Sequence, residues 1–136
     1  MNINLIKADD VLTLRRDILY PNKNLSELKL PEDDFGMHYG LFVNDRLISV
    51  VSLFISGNSA QFRKFATLTS FQGKGYGSAL LNHLIQEAAK QGCETIWCNA
   101  RLSAADFYLR FGFTKTEETF TKDEVDFVIM RKSLRT

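Results

Sequence analysis

Cysteine is scarce: Cys93 and Cys98 are the only two. They stand five apart in an apolar stretch, and no other cysteine exists to build a framework. The expectation is two reduced, buried thiols in an intracellular protein. Histidine is equally sparse. His38 and His83 lie apart in sequence from both cysteines, and no pair has zinc-like spacing, so no metal is expected. Neither sign of charge prevails. Seventeen basic residues face sixteen acidic ones, which gives no support to nucleic-acid binding. No run approaches about 18 apolar residues, which argues against a membrane span. The start MNINLIKADD has neither a basic opening nor a long apolar run, so no signal peptide is expected there and a cytoplasmic location is. Internal repeats, low-complexity tracts and Pro/Gly/Ser-rich linkers are also missing. What remains is 136 residues, 45% apolar and 24% charged, enough for a single domain with one core.

Periodicity divides this chain into strands and helices. Ile3 and Leu5 alternate with asparagines, as in a short strand. Asp9 or Asp10 can cap a helix over Val11 to Leu19, which Pro21 stops. Residues 22–36 read as a loop or short helical turn. His38–Val43 and Arg46–Ile55 read as strands joined at Asn44-Asp45, and Gly57-Asn58-Ser59 turns into a third strand, Gln61–Leu68. These make an antiparallel meander. A helix from about Gly75 to Gln91 follows, with Gly92 as its C-terminal cap. Thr95–Ala100 is a strand again, so strand, helix and strand form one parallel crossover. Ser103 can cap another helix, with Asp106 as capping-box partner, ending at Gly112. Phe113–Thr116 and Val125–Arg131 read as two final strands joined by a polar loop. The fold class is α/β (α+β): a mixed, mostly antiparallel sheet with one parallel crossover.

The segment between the third strand and its helix carries the chemistry. Gly73, Gly75 and Gly77 occupy a strand-to-helix junction, where glycine lets the backbone approach a ligand. The first amides of a helix lack intrahelical acceptors, and the dipole favours an anion there. Lys74 adds a mobile charge and Ser78 a hydroxyl. Phosphate oxygens suit such a site. A P-loop would need Gly-Lys-Ser/Thr, but Gly75 follows Lys74. A dinucleotide fingerprint would need glycine at position 78, which is serine. Tight packing alone is the competing explanation for the turn.

Gln72-x-x-Gly75-x-Gly77 resembles the Gln/Arg-x-x-Gly-x-Gly/Ala motif of the GNAT superfamily of GCN5-related N-acetyltransferases. Phe65-Ala66-Thr67 and the aromatic Phe71 before it fit the same pattern. Ala100-Arg101, Ala104 and Phe107-Tyr108-Leu109-Arg110-Phe111-Gly112-Phe113 resemble a second block of that superfamily. Together the two blocks cover about Gln61 to Phe113. The resemblance implies that backbone groups of Phe65, Ala66 and Thr67 bond the pantetheine arm of acetyl-coenzyme A (acetyl-CoA) as an added strand. It implies that the Gly73, Lys74, Gly75, Tyr76, Gly77 and Ser78 amides hold the pyrophosphate, and that Tyr108 protonates the departing thiolate. A further core aromatic is the other reading of Tyr108. Many members carry Asn where Arg101 stands, so Arg101 and Asn99 compete for a coenzyme contact, and a plain surface role for Arg101 stays open.

The implied reaction is direct transfer of acetyl from acetyl-CoA to a primary amine on a small molecule or peptide. His38 is a candidate base by its ordinary pKa, set against a structural hydrogen bond. Asp33, Asp34 and Glu94, acting through water, are others, set against plain solvent exposure. The acidic run Glu32–Asp34 would suit a cationic acceptor if it bordered the cleft. A non-catalytic acyl-CoA sensor and a purely structural module are the alternatives, and pairing of the C-terminal hairpin with a second copy stays open.

Overall fold

Seven strands form in the computed structural model, which describes residues 1–135; their order is β1-β2-β3-β4-β5-β7-β6. The chain divides into two compact units, Met1–Phe54 with Phe62–Leu84, and Ile55–Gln61 with Ile85–Thr136.

In the first unit, β1 (Asn2–Ile6) pairs antiparallel with β2 (Met37–Val43), and β2 with β3 (Arg46–Ser56). Asn44 and Asp45 both have positive φ, 50° and 64°, the tight hairpin that the sequence suggests. The β4 strand (Ser59–Thr67) begins two residues earlier than expected. Its far end is fastened by the Leu68 amide, which donates to the Ile48 carbonyl at 2.9 Å. Helical segments cover both faces of this part of the sheet. Val11 and Leu14 pack with Val50 and Ala66 on one face. On the other, the α2 helix (Tyr76–Lys90) sets His83 against Tyr39, with ring centroids 5.5 Å apart.

The expected regular helix over Val11–Leu19 requires correction. The chain winds as a 3₁₀ turn over Ala8–Val11, α1 over Leu12–Leu14 and a π turn over Arg15–Leu19. The Tyr20 amide closes the last turn on the carbonyls of both Arg15 and Arg16, each at 3.1 Å. This widening accommodates Arg15, which is wholly buried. The segment that follows holds two 3₁₀ turns, Leu25–Glu27 and Pro31–Phe35.

In the second unit, Ser59–Gln61 of β4 pairs in parallel with Thr95–Trp97 of β5 (Thr95–Arg101). The β5 strand pairs antiparallel with β7 (Val125–Ser133), and β7 with β6 (Thr114–Lys122). Ile96, Cys98 and Ala100 point inward with Val128 and Met130. Two expectations fail here. The last helix does not start on a Ser103 cap: a 3₁₀ turn over Leu102–Ala104 leads into α3 (Ala105–Leu109), whose N-cap Ala104 makes no side-chain cap hydrogen bond. The polar stretch after Thr116 is strand, not loop. Phe120 stacks on Phe127 at 5.0 Å and 8°, and the Thr121 hydroxyl donates to Asp126 at 2.7 Å. The connection is only Asp123-Glu124, both at positive φ. That dipeptide lacks the glycine that usually announces such a turn.

Candidate functional site

The glycine turn of the first unit is built as an open anion cradle. Gly73 and Gly75 have φ of 74° and 87°, which glycine adopts without the side-chain clash of other residues. A Cβ at either would meet nothing within 4 Å, so both face open space. The Gly75 carbonyl accepts from the Ala79 amide at 3.0 Å. Gly75 is therefore the half-in residue of α2, and the amides of Tyr76, Gly77 and Ser78 have no intrahelical acceptor. Gly77 serves differently. Its Cβ position lies 3.6 Å from Phe65 and 3.8 Å from the Thr67 hydroxyl, an ordinary packing distance. The turn is tied to β4 because the Gln72 side-chain amide donates to the Thr67 carbonyl at 2.8 Å.

The two kinds of glycine should separate on substitution. Gly75→Ala is expected to lower stability by about 1–2 kcal/mol through backbone strain, without any packing clash. Gly77→Ala, on helical backbone, is expected to fold at least as stably as the original. Urea unfolding midpoints check both.

Cations gather at this turn. Phe71 tilts against Tyr76 at 5.9 Å, with the Lys74 ammonium 5.9 Å and the Arg46 guanidinium 5.6 Å from its ring centroid. Arg46 went unnoticed in the sequence because twenty-seven residues separate it from Gly73, and only the β3–β4 return brings it back.

In β4, Lys64 has φ of 58°, the sign of a bulge that inserts one extra residue. Phe62 and Phe65 consequently share a face, with rings 6.4 Å apart, although an odd spacing would put them on opposite faces of a regular strand. The Ser49 hydroxyl donates to the Ala66 carbonyl at 3.2 Å and meets the Thr67 hydroxyl at 2.8 Å. Phe65 and Thr67 lie beside Gln72 and Gly77 of the turn.

His38 sits elsewhere in this unit, in a buried network. Its Nε2–H donates to the Asp33 carbonyl at 2.8 Å, and its Nδ1 lies 2.7 Å from the Ser52 hydroxyl. Arg15 donates to both Asp33 carboxylate oxygens at 2.7 and 3.0 Å, to Ser52 at 2.9 Å and to the Leu28 carbonyl at 3.0 Å. The Leu30 amide donates to Asp33 at 2.8 Å. Burial alone would raise the Asp33 pKa. The Arg15 hydrogen bonds, the Leu30 amide and the nearby positive charge outweigh it and hold the carboxyl below its ordinary value. The acidic run is thus not an open acidic surface: Asp33 is 1% exposed, Glu32 pairs with Arg63, and Asp34 pairs with Lys29. Glu94, in the second unit, is engaged by Asn58 and Arg135.

Within the second unit, the spacing Tyr108-x-x-x-Gly112-Phe113 has a structural cause. Gly112 has φ of 87°. Its amide donates to the Leu109 carbonyl at 3.1 Å, and the Phe113 amide to the Tyr108 carbonyl at 3.3 Å. These bonds form a Schellman ending, which brings the third residue from the helix end against the residue after the glycine. Accordingly the Tyr108 and Phe113 rings meet at 5.9 Å, with Phe107 at 5.3 Å on Tyr108. Burial, then the neighbouring Cys98, pushes the Tyr108 phenol pKa well up. Burial pushes the Cys98 thiol up to about 12. Asn99 and Arg101 project from the opposite face of β5, both exposed, across from Ile129 and Phe127.

Among the described residues, no three of His, Cys, Asp and Glu converge on a metal position, and no helix is long and apolar enough to cross a membrane.

The chain resembles known proteins in sequence and in fold. A family model described as an acetyltransferase (GNAT) domain matches residues 21–134. The uncharacterized N-acetyltransferase YitI of Bacillus subtilis (strain 168) is 28% identical, aligned over 100% of this chain and 98% of its own. The ribosomal-protein-S18-alanine N-acetyltransferase of Escherichia coli has the same fold, with a TM-score of 0.83 at 20% identity over 99% of this chain and 94% of its own. An aminoglycoside 6'-N-acetyltransferase complexed with coenzyme A gives a TM-score of 0.79 at 15% identity, over 100% and 98%. The chain belongs to the GNAT acetyltransferase family.

Proposed function

We propose that the chain acts as one domain that transfers acetyl from acetyl-CoA to a primary amine by direct attack. The observation that carries this reading is the cradle at Gly73–Ser78: open positive-φ glycines, outward amides and Lys74, at the start of a helix of about four turns. Pyrophosphate fits it by charge and by donor count. A structural neighbour's name records bound coenzyme A, which supports the same ligand here.

In this reading the thioester arm lies along Phe65–Thr67, and an amide of that segment stabilises the developing oxyanion. The neutral amine nitrogen attacks the carbonyl carbon, the C–S bond breaks, and the thiolate takes its proton from the Tyr108 hydroxyl. The amine loses its own proton to water. Asn99 and Arg101 stay as candidate coenzyme contacts from β5. His38 moves to a positioning role, because both its ring nitrogens are engaged in the buried network. An acyl-cysteine route is disfavoured, since a thiol at about 12 carries almost no thiolate near neutral pH. Cys98→Ser is accordingly expected to retain turnover, and native Cys98 to resist thiol alkylation.

The test is an amine panel with acetyl-CoA, detecting free thiol, alongside calorimetry. Binding with thiol release supports the transferase. Binding without release on any acceptor would favour a sensor, and no binding at high micromolar concentration would reject both.

A further inference from the structure

We infer that Arg46 holds a second phosphate group of the donor, the ribose 3′-phosphate of coenzyme A, apart from the pyrophosphate at the Gly73–Ser78 cradle. The inference rests on the coenzyme reading above and adds which carriers of the acetyl group the site prefers.

Strand pairing brings Arg46 to the glycine turn, and every residue involved belongs to the first unit. The Leu68 amide donates to the Ile48 carbonyl at 2.9 Å, so the first residues of β3 stand beside the end of β4. Beyond Leu68 the chain closes a 3₁₀ turn over Thr69–Phe71, and the Phe71 amide donates back to the Leu68 carbonyl at 2.9 Å. That return carries the Phe71 ring to Arg46. The guanidinium stands 5.6 Å from the ring centroid and the Lys74 ammonium 5.9 Å. Phe71 is half-buried and tilts against Tyr76, the first residue of α2, while both cations are exposed. Two long side chains thus rest on one aromatic ring and keep their charged heads in water.

The two cations suit different anions. Lys74 lies between Gly73 and Gly75, within the cradle, where a mobile point charge joins the outward amides at the pyrophosphate. Arg46 lies outside the cradle, at the start of β3, where pairing with Val43 across the hairpin holds its backbone. A guanidinium presents parallel N–H donors in a fixed fork, which matches a phosphate monoester. Such a fork beside a complete pyrophosphate site fits a ligand that carries both groups. Coenzyme A is such a ligand: its ribose bears a monoester separate from the pyrophosphate.

The consequence is selectivity among donors. A carrier without the ribose monoester keeps the pantetheine arm and its thioester but gives Arg46 nothing to hold. Because Arg46 is exposed, its attraction is screened by salt, and the preference should shrink as ionic strength rises. A guanidinium that served only to rest on Phe71 would confer no such preference.

The experiment is calorimetry of the full chain with coenzyme A and with dephospho-coenzyme A, which needs no acceptor. The original protein should bind coenzyme A about five- to tenfold more tightly. Arg46→Gln should bring the ratio close to one by weakening coenzyme A alone, and Arg46→Lys should restore part of it. Lys74→Gln should weaken both ligands alike. Circular dichroism checks that each variant folds. A ratio near one in the original protein overturns the inference, as does an Arg46→Gln variant that keeps the ratio. Equal weakening of both ligands by Arg46→Gln also overturns it, since Arg46 would then serve the pyrophosphate. Binding itself keeps the coenzyme reading intact in those cases. Binding of neither ligand removes both.

Discussion

Asp33→Asn should destabilise the protein by about 3–5 kcal/mol, the range seen when one partner of a buried ion pair is removed. Arg15 is fully buried and Asp33 is 1% exposed. Neutralising the carboxylate leaves the guanidinium without its counter-charge, away from water. The loss is large against the roughly 5–15 kcal/mol that holds a typical domain folded. Urea unfolding would show it as a lower midpoint at an unchanged slope. The double variant Arg15→Met/Asp33→Asn should recover part of the loss, because the stranded charge is gone while the Leu30 amide keeps an acceptor. A double variant no more stable than the single one would contradict this account.

The same pair sets a pH dependence. The Asp33 carboxyl lies below its ordinary value of 3.8 in the folded chain. Between the two values the unfolded chain binds more protons, so stability rises with pH there. The contribution is fully present above the unfolded value and is lost as pH falls from 3.8 through the lower folded value. In Asp33→Asn this acid-side slope should flatten.

The second large effect concerns turnover. Tyr108→Phe is expected to lower kcat by about 10²- to 10⁴-fold, the usual contribution of a positioned acid, with little change in KM for acetyl-CoA. Phenylalanine keeps the ring contacts with Phe107 and Phe113, so the fold should survive, as circular dichroism and unfolding can verify. Because burial raises the phenol's pKa, the group stays protonated through and beyond the ordinary phenol range. The original enzyme should therefore show no alkaline loss from Tyr108 below about pH 10. A high-pKa phenol is a weak donor towards a solvated thiolate, but a thiolate leaving into the same dry surroundings is itself a stronger base. A kcat reduced less than about tenfold would remove Tyr108 from the acid role, whereas an alkaline limb that disappears in the variant would keep that role and contradict the raised pKa.

Much of this architecture was legible in the residues. The meander, the glycine turn and the strand–helix–strand crossover follow from period and punctuation, because each signal is local. The Schellman ending at Gly112 is equally local, and it explains why Tyr108 and Phe113 occur at that spacing. What escaped depends on long-range compensation. Nothing local marks Arg15 and Asp33 as buried, and only tertiary pairing makes their burial tolerable. Lys64 carries no mark of positive φ, since lysine has no special tolerance for it; Tyr20, whose hydroxyl accepts from the Lys64 ammonium, lies forty-four positions away and gives no hint of the contact. The part of the Thr114–Lys122 strand after Thr116 looked like loop because its residues are mostly polar and exposed; pairing with β7, not burial, makes it a strand.

The bulge in β4 also limits how this strand can change in length. Leu68 is pinned to Ile48 at one end, and Ser59–Gln61 is registered against Thr95–Trp97 at the other. Lys64 is the single odd residue that reconciles those two anchors. Losing it would invert one half of the strand relative to the other, exchanging the sides of Phe62 and Arg63 or of Phe65 and Ala66. A residue must therefore stand at position 64, and its positive φ disfavours β-branched side chains there.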